Sequence, residues 1–264
     1  MTDRTAIRIR RVVVAVRPMD RPDDLVDIAT RLAAAFGAEL SGHFVKDRDL
    51  INLAALSFTR RIDVKTGALE SLEPEMMERA LAVHADAAKK ALAARAAARR
   101  LRWSFETVTA PVLEAVTRLC REPGLVIATL NGDEHPQMLE RHLAELVSSV
   151  PAASPILLLQ TGQPIHGPVV ATADGRALAY ADRLAGEFGQ PLIVLARSDA
   201  EQARAVGQAG DLTTPVRIVP AGAGGTDPSD LFACGLLVIG RHDIADYAGL
   251  AEQTGCHIFI TDEP

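Results

Sequence analysis

Val12-Val13-Val14-Ala15-Val16 is a run of five apolar residues, four of them β-branched, and it reads as a buried strand. A Pro/Asp turn follows it. Asp24 to Phe36 then places Leu25, Ile28, Ala29, Leu32 and Phe36 on one helical face, and Gly37 ends the helix as a cap. The same phrase returns later in the chain. Val169-Val170-Ala171-Thr172-Ala173 is followed by Asp174-Gly175 and by the helix-like stretch Arg176 to Phe188. The helix ends also match, Phe36-Gly37-Ala38-Glu39 against Phe188-Gly189-Gln190-Pro191. A repeat of this size, roughly a hundred residues or more, predicts a duplicated domain and not a solenoid unit.

Outward from that pair, strands and helices alternate. In the first half the predicted strands are Arg11 to Val16, Glu39 to Val45, Leu101 to Val108, Leu125 to Thr129 and Ile156 to Leu159. A helix from about Pro74 to Arg100 has the stripe Met77, Ala80, Leu81, His84, Ala88, Leu92 and Ala96. A further helix begins at Pro111 with Val112, Val116 and Leu119, and another spans about Gln137 to Val150. In the second half the strands are Val169 to Ala173, Pro191 to Ala196, Pro215 to Val219, Leu236 to Ile239 and His257 to Ile260. Its helices are Arg176 to Phe188, Asp199 to Gln208, Pro228 to Cys234 and a short one near Ala245 to Gln253. Alternating apolar strands and helices predict an α/β fold of two doubly wound, five-stranded parallel sheets. The domains are 1–160 and a shorter 168–264, joined by a linker at 161–167.

The segment Lys46 to Ser71 is polar but carries Leu50, Ile51, Leu53, Leu56 and Phe58. It is too long for a structureless connection, so a short helix folded over the sheet is expected, or else a lid or partner-binding patch.

Composition excludes several classes. The 264 residues carry a formal charge of -6, which argues against a nucleic-acid partner. Aromatics are only 4%, so Ala, Val, Leu and Ile must build the cores. No apolar stretch is long enough to span a membrane, and Met1-Thr2-Asp3-Arg4 opens no signal-peptide core. Cys120, Cys234 and Cys256 are scattered, which predicts buried thiols and a cytoplasmic location.

The chain resembles the universal stress protein family in its tandem form. The similar residues are Val12 to Val16, the phrase Phe36-Gly37-Ala38-Glu39-Leu40 leading to His43-Phe44-Val45, and Val126 to Leu159 with its Ser154-Pro155-Ile156-Leu157-Leu158. In the second half Ala173-Asp174-Gly175 is similar to the family's strand-one ending. The resemblance implies strand order 3-2-1-4-5 in each domain. It also implies a ligand crevice beyond the carboxyl ends of strands one and four, where that order reverses. Fifth strands pair across subunits in the family, so Ile156 to Leu159 is expected against His257 to Ile260, an intramolecular pseudo-dimer; a homodimer is a further possibility.

ATP-binding members of the family carry Gly-x2-Gly-x9-Gly-Ser/Thr after strand four, which lets backbone N–H groups approach phosphate. The same register here holds Thr129, Gly132 and His142-Leu143, so only the middle glycine is kept. Asp133 and Glu134 follow it, and a carboxylate ~4 Å from phosphate repels by ~4 kcal/mol at an effective dielectric of about 20. The strand-one position that is often Asp in the family is Arg17. The second half keeps Asp174, which could orient a ribose or a metal or simply form a turn. After its strand four stands Gly240-Arg241-His242-Asp243. Gly222-Ala223-Gly224-Gly225 reads as a flexible connection ending in the cap Asp227-Pro228. The cofactor-binding candidates are Arg17, Val45, Thr129, Gly132, His142, Asp174 and Gly240.

Other chemistry is thinner. His135, His142, His242 and His257 lack zinc-site spacing, so no metal is expected. No Gly-x-Ser-x-Gly elbow exposes a serine, and Ser148-Ser149 falls inside a predicted helix. Arg95, Arg99, Arg100 and Arg102 cluster at a helix C-terminus, where cations are favoured anyway. An enzyme would have to draw on Asp174, His242 and Asp243, which no spacing makes a set. The expectation is a cytoplasmic stress or regulatory protein that binds an unidentified protein or small-molecule partner, with no catalytic residues and no cofactor. The alternative is an ATP-binding switch or weak ATPase in which Thr129 and Gly132 hold phosphates that Arg17 neutralises.

Overall fold

A computed structural model describes residues 7–63, 65–130, 148, 154–220, 234–244, 246–247 and 254–262. Twelve strands are described: β1 (Arg11–Val16), β2 (Glu39–Asp47), β3 (Arg60–Ile62), β4 (Leu69–Ser71), β5 (Trp103–Ala110), β6 (Leu125–Leu130), β7 (Ile156–Gln160), β8 (Val169–Thr172), β9 (Leu192–Ala196), β10 (Val216–Pro220), β11 (Leu236–Ile239) and β12 (His257–Ile260). The helices are α1 (Pro22–Phe36), α2 (Arg48–Ala54), α3 (Pro74–Ala98), α4 (Val112–Leu119), α5 (Gly175–Phe188) and α6 (Asp199–Ala209). Predicted helices at 137–150, 228–234 and 245–253 fall wholly or largely outside the described residues.

Ten of the strands form one sheet in the order β10-β9-β8-β11-β12-β7-β6-β1-β2-β5. Each half of this sheet runs 3-2-1-4-5, as the resemblance implies, and its ladders within a half are parallel. The halves join through an antiparallel ladder, β7 on β12, with Ile156 opposite Ile260, Leu157 opposite Phe259 and Leu158 opposite Ile258. Residues of α1, α3, α5 and α6 pack on one face of the sheet, around Val12, Val14, Leu40, Leu157, Val194 and Phe259. Among the described helices α4 packs on the other face, with Val13, Ala15, Ile156, Leu237 and Ile258. Period-2 alternation along each strand divides the two cores.

The duplication is visible in the caps. Gly37 and Gly189 end α1 and α5 in the left-handed conformation, at φ 63° and 65°. Superposing those caps pairs Arg31 with Arg183 and Phe36 with Phe188, and these residues meet across the seam. Arg31 lies 4.9 Å over the Phe188 ring and donates to the Glu187 carbonyl oxygen at 2.7 Å. Arg183 lies 5.1 Å over the Phe36 ring and donates to the Ala35 carbonyl oxygen. The contact is isologous, the pattern of a two-fold dimer written into one chain.

Three expectations are corrected. On α3 the buried stripe is Leu81, Ala85, Ala88, Leu92 and Ala96, while Ala80 and His84 are exposed. The helix ends at Ala98, with Arg100 at φ 55°, so the following strand starts at Trp103 and not at Leu101. The 46–71 segment does form a short helix, α2, and Ile51 reaches the core. Leu53, Leu56 and Phe58 do not, and β3 and β4 make a small hairpin that the polar sequence does not announce. Three arginines at and after the end of α3 are ion-paired: Arg95 to Asp23 at 2.8 Å, Arg99 to Asp27 at 3.8 Å and Arg102 to Glu39 at 2.9 Å.

A glycine precedes the fourth strand of each half. A Cβ on Gly124 would stand 2.8 Å from the Arg11 carbonyl oxygen, and one on Gly235 would stand 2.5 Å from that of His166. Backbone cannot yield as a side chain can, so Gly235→Ala is expected to lower stability by about 1–3 kcal/mol in urea denaturation. The seam also carries a titrating group. Buried His257 accepts the Gln160 N–H at Nδ1 (2.9 Å) and its ring also bonds the Pro164 backbone, while burial holds its pKa below the ordinary value. The unfolded chain therefore takes up this proton first. Stability should fall as pH drops from about 7 to 5, and His257→Gln should flatten that slope, as read by denaturation at several pH values.

Candidate functional site

The crevice expected for a ligand lies where β1 and β6 diverge at their carboxyl ends. Arg17 and Thr129 stand there, and the fold brings them together: Arg17 Nε donates to Thr129 Oγ1 at 2.9 Å. The group that organises them is Asp20. Its carboxylate accepts the Arg17 backbone N–H at 2.6 Å, Arg17 Nη2 at 3.2 Å and the Thr129 hydroxyl at 2.6 Å. The Asp20 side chain has no exposed surface, so its charge is neutralised and hydrogen-bonded inside the protein. Reading of the sequence missed Asp20. The available signal was an Asp three residues past a strand end, a spacing that lets a carboxylate turn back onto the backbone.

Beside this cluster a cavity of about 20 Å³ is lined by Arg21, Asp24, Ile28, Thr129, Gln160 and Thr161, among others. That is space for a water molecule. Val45 is fully buried in the strand and presents no surface to a ligand. Gly132, His142, Asp133, Glu134 and His135 lie outside the described residues, as does the 222–225 loop.

The second half closes its crevice differently. Asp174 caps α5, accepting the Ala177 N–H at 3.1 Å, which is the turn-forming role. Superposed on α1 through the glycine caps, Arg176 replaces Asp24 and Tyr180 replaces Ile28. Both reach Asp262, just past β12: Arg176 pairs with the carboxylate through Nε at 2.7 Å and through Nη2, and Tyr180 Oη donates at 3.0 Å. The hydrogen bond to Asp262 raises the Arg176 pKa, and burial raises that of Tyr180. Gly240 is buried and opens a 3-10 turn, where a Cβ would meet the His242 ring at 2.7 Å. Asp243, also buried, pairs with Arg197 at 2.9 Å. Asp174, His242 and Asp243 thus have separate employments, although His242 stands 3.5 Å from Asp243.

One further polar cluster imitates a catalytic one. Ser41 Oγ lies 2.9 Å from His43 Nε2, and His43 Nδ1 lies 4.0 Å from Glu106. Ser41 is buried in mid-strand, receives Arg11 Nη2 at 3.2 Å and contacts Ser104 at 3.1 Å. Burial lowers the His43 pKa, and the group is a partly buried polar network across β1, β2 and β5. Among the described residues no three His, Cys, Asp or Glu side chains group as metal ligands, and no helix is long and apolar enough to cross a membrane.

Removing the Asp20 carboxylate strips the acceptor from three hydrogen bonds. Asp20→Ala is expected to cost about 3 kcal/mol, and Asp20→Asn less, in urea denaturation.

No protein-family model matches the sequence, and no curated protein matches it. Solved structures do. A functionally unknown protein from Pseudomonas aeruginosa PAO1 is 17% identical, with a TM-score of 0.57 over 96% of this chain and 92% of that one. A Pseudomonas aeruginosa UCBPP-PA14 protein provisionally assigned as a universal stress protein is 17% identical, with a TM-score of 0.55 over 96% of this chain and 93% of that one. At that identity the likeness is one of fold, and the chain has the universal-stress-protein-like α/β architecture across nearly its whole length.

Proposed function

We propose that this chain is a stress or regulatory protein of the universal-stress-protein type, composed of domains 1–160 and 168–264 around a linker at 161–167. It works in the cytoplasm by binding a protein or small-molecule partner, without conventional ATP binding and without catalysis. One observation carries the reading: polar groups of the chain itself occupy both strand-end crevices. Arg17, Asp20 and Thr129 satisfy one another in the first, and Arg176, Tyr180 and Asp262 do so in the second. A phosphate entering the first crevice would have to draw Arg17 and Thr129 away from the buried Asp20 carboxylate that they already satisfy. The exposed side chains Leu53, Leu56, Phe58, Ile62 and Leu69 on and after α2 support partner binding, since apolar surface of this kind marks contact sites.

A second reading rests on the 2.9 Å contact between Arg17 and Thr129, which holds a cation at the mouth where a triphosphate would lie. It is the ATP-binding switch. Absorbance and mass spectrometry of the denatured, freshly purified protein separate the two. The expected outcome is no co-purified nucleotide and no thermal shift with ATP. A tight calorimetric isotherm, abolished by Gly132 substitution, would sink the first reading.

A further inference from the structure

The ten-stranded sheet has two outer strands, β5 and β10, each the third strand of its half. In a parallel ladder successive residues turn their N–H and C=O to alternate sides. The Leu40 N–H donates to the Arg102 carbonyl at 2.9 Å, so Ser104, Glu106, Val108 and Ala110 turn their backbone groups to β2. Trp103, Phe105, Thr107 and Thr109 then turn theirs outward. The Thr109 carbonyl agrees, because it accepts Arg48 Nη2 at 3.2 Å from outside the ladder. By the same rule, the Leu192 N–H on the Pro215 carbonyl leaves Val216, Ile218 and Pro220 outward on β10.

The two edges are finished differently. β10 is five residues long, follows Pro215 and ends on Pro220, which has no N–H to offer. Short length and proline are the devices that blunt an edge. β5 is eight residues long, contains neither Pro nor Lys, and has Glu106 as its one charged residue. Among the described residues no strand pairs with its outer side, and Arg48 is the side chain that donates to it. Trp103, at the start of the row, is 38% exposed. Two copies of one domain therefore carry one closed edge and one open edge at the same place in the fold.

We infer that β5 docks a second copy of this chain, the two β5 strands pairing antiparallel about a two-fold axis at Thr107. In an antiparallel pair an outward residue faces an outward residue, so the axis passes through a residue position and not between two. An axis at Glu106 sets two carboxylates opposite each other, which opposes pairing. An axis at Thr107 sets Glu106 opposite Val108 of the second copy, Ser104 opposite Ala110 and Phe105 opposite Thr109. Every residue from Ser104 to Ala110 then has a strand partner, whereas an axis at Phe105 or Val108 leaves one end of β5 overhanging. Thr107 exchanges both backbone hydrogen bonds with its counterpart, and Phe105 does so with Thr109 on either side of the axis. The exposed Arg48 side chain gives up the Thr109 carbonyl to the incoming Phe105 N–H. The chain already joins one pair of equivalent strands antiparallel, β7 with β12. The new contact is isologous and uses both open edges. Only the blunted β10 edges remain, so assembly stops at two copies. None of this depends on what either crevice binds.

Analytical ultracentrifugation of the full-length chain tests the contact. The expected mass is twice the 28.1 kDa of one chain. Thr107→Pro removes an outward N–H that β2 does not use, so this variant keeps its circular dichroism spectrum and sediments as a monomer. On oxidation, Thr107→Cys gives a linked dimer on a non-reducing gel, because hydrogen-bonded antiparallel neighbours stand ~5.5 Å apart at Cα, within disulfide reach. Thr109→Cys stays unlinked, since its counterpart lies ~13 Å away along the strand. The unmutated chain, whose three cysteines are buried, also stays unlinked. A monomer at every concentration, a dimer that survives Thr107→Pro, an unlinked Thr107→Cys or a linked Thr109→Cys overturns the inference. If Thr107→Pro fails to fold, the mass of the unmutated chain and the two cysteine variants decide.

Discussion

The antiparallel ladder between β7 and β12 is the constraint on which the rest of the molecule depends. Each parallel half would end in an edge strand of nearly pure aliphatic sequence, Ile156 to Leu159 in one and Ile258 to Ile260 in the other. Such edges invite pairing with another chain. Pairing them with each other buries all seven of these side chains to within 3% of full burial. It also fixes the rest of the body. With β7 on β12, α1 and α5 must lie against each other, which is where the matched stacks of Arg31 on Phe188 and Arg183 on Phe36 form.

The same ladder decides where ligands could go. Because it is antiparallel while each half is parallel, the carboxyl ends of the two sets of strands face opposite ends of the sheet. The two crevices cannot combine into one site. Whatever each does, it does with its own residues, and the seam contributes stability and spacing and not a shared pocket.

The architecture was legible because it rests on signals that period and composition carry. Continuous aliphatic runs gave the strands, Gly37 and Gly189 gave the helix ends, and repetition gave the two-fold plan. The crevice contents were not legible. Asp20 sits in a Pro-rich turn whose sequence says only that the chain bends, and its role depends on Thr129, more than a hundred residues away. Asp262 likewise acquires meaning from Arg176 and Tyr180, more than eighty residues earlier in the chain. The α3 stripe slipped at two positions because alanines dominate the helix, so its pattern distinguishes the faces weakly; burial chose Ala85 over His84. The β3–β4 hairpin was invisible for another reason. Its strands are three residues each and carry Arg60, Arg61 and Glu70, so neither shows an apolar alternation.

The contrast between the crevices shows how the two copies of a duplicated fold can tie their strand ends into the structure differently. In the first half, Asp24 and Ile28 leave a water-sized gap beside Thr161. In the second half, the superposed positions on α5 are Arg176 and Tyr180, and the chain past β12 supplies Asp262 to meet them. Tyr180 is 1% exposed and stands 4.9 Å from the Phe259 ring, so the same side chain that closes the crevice also packs against the middle of the seam. A ligand displacing it would open the seam as well as the crevice. The second half has thus coupled its strand-end crevice to the ladder that holds the molecule together, and the first half, with Ile28 in that place, has not.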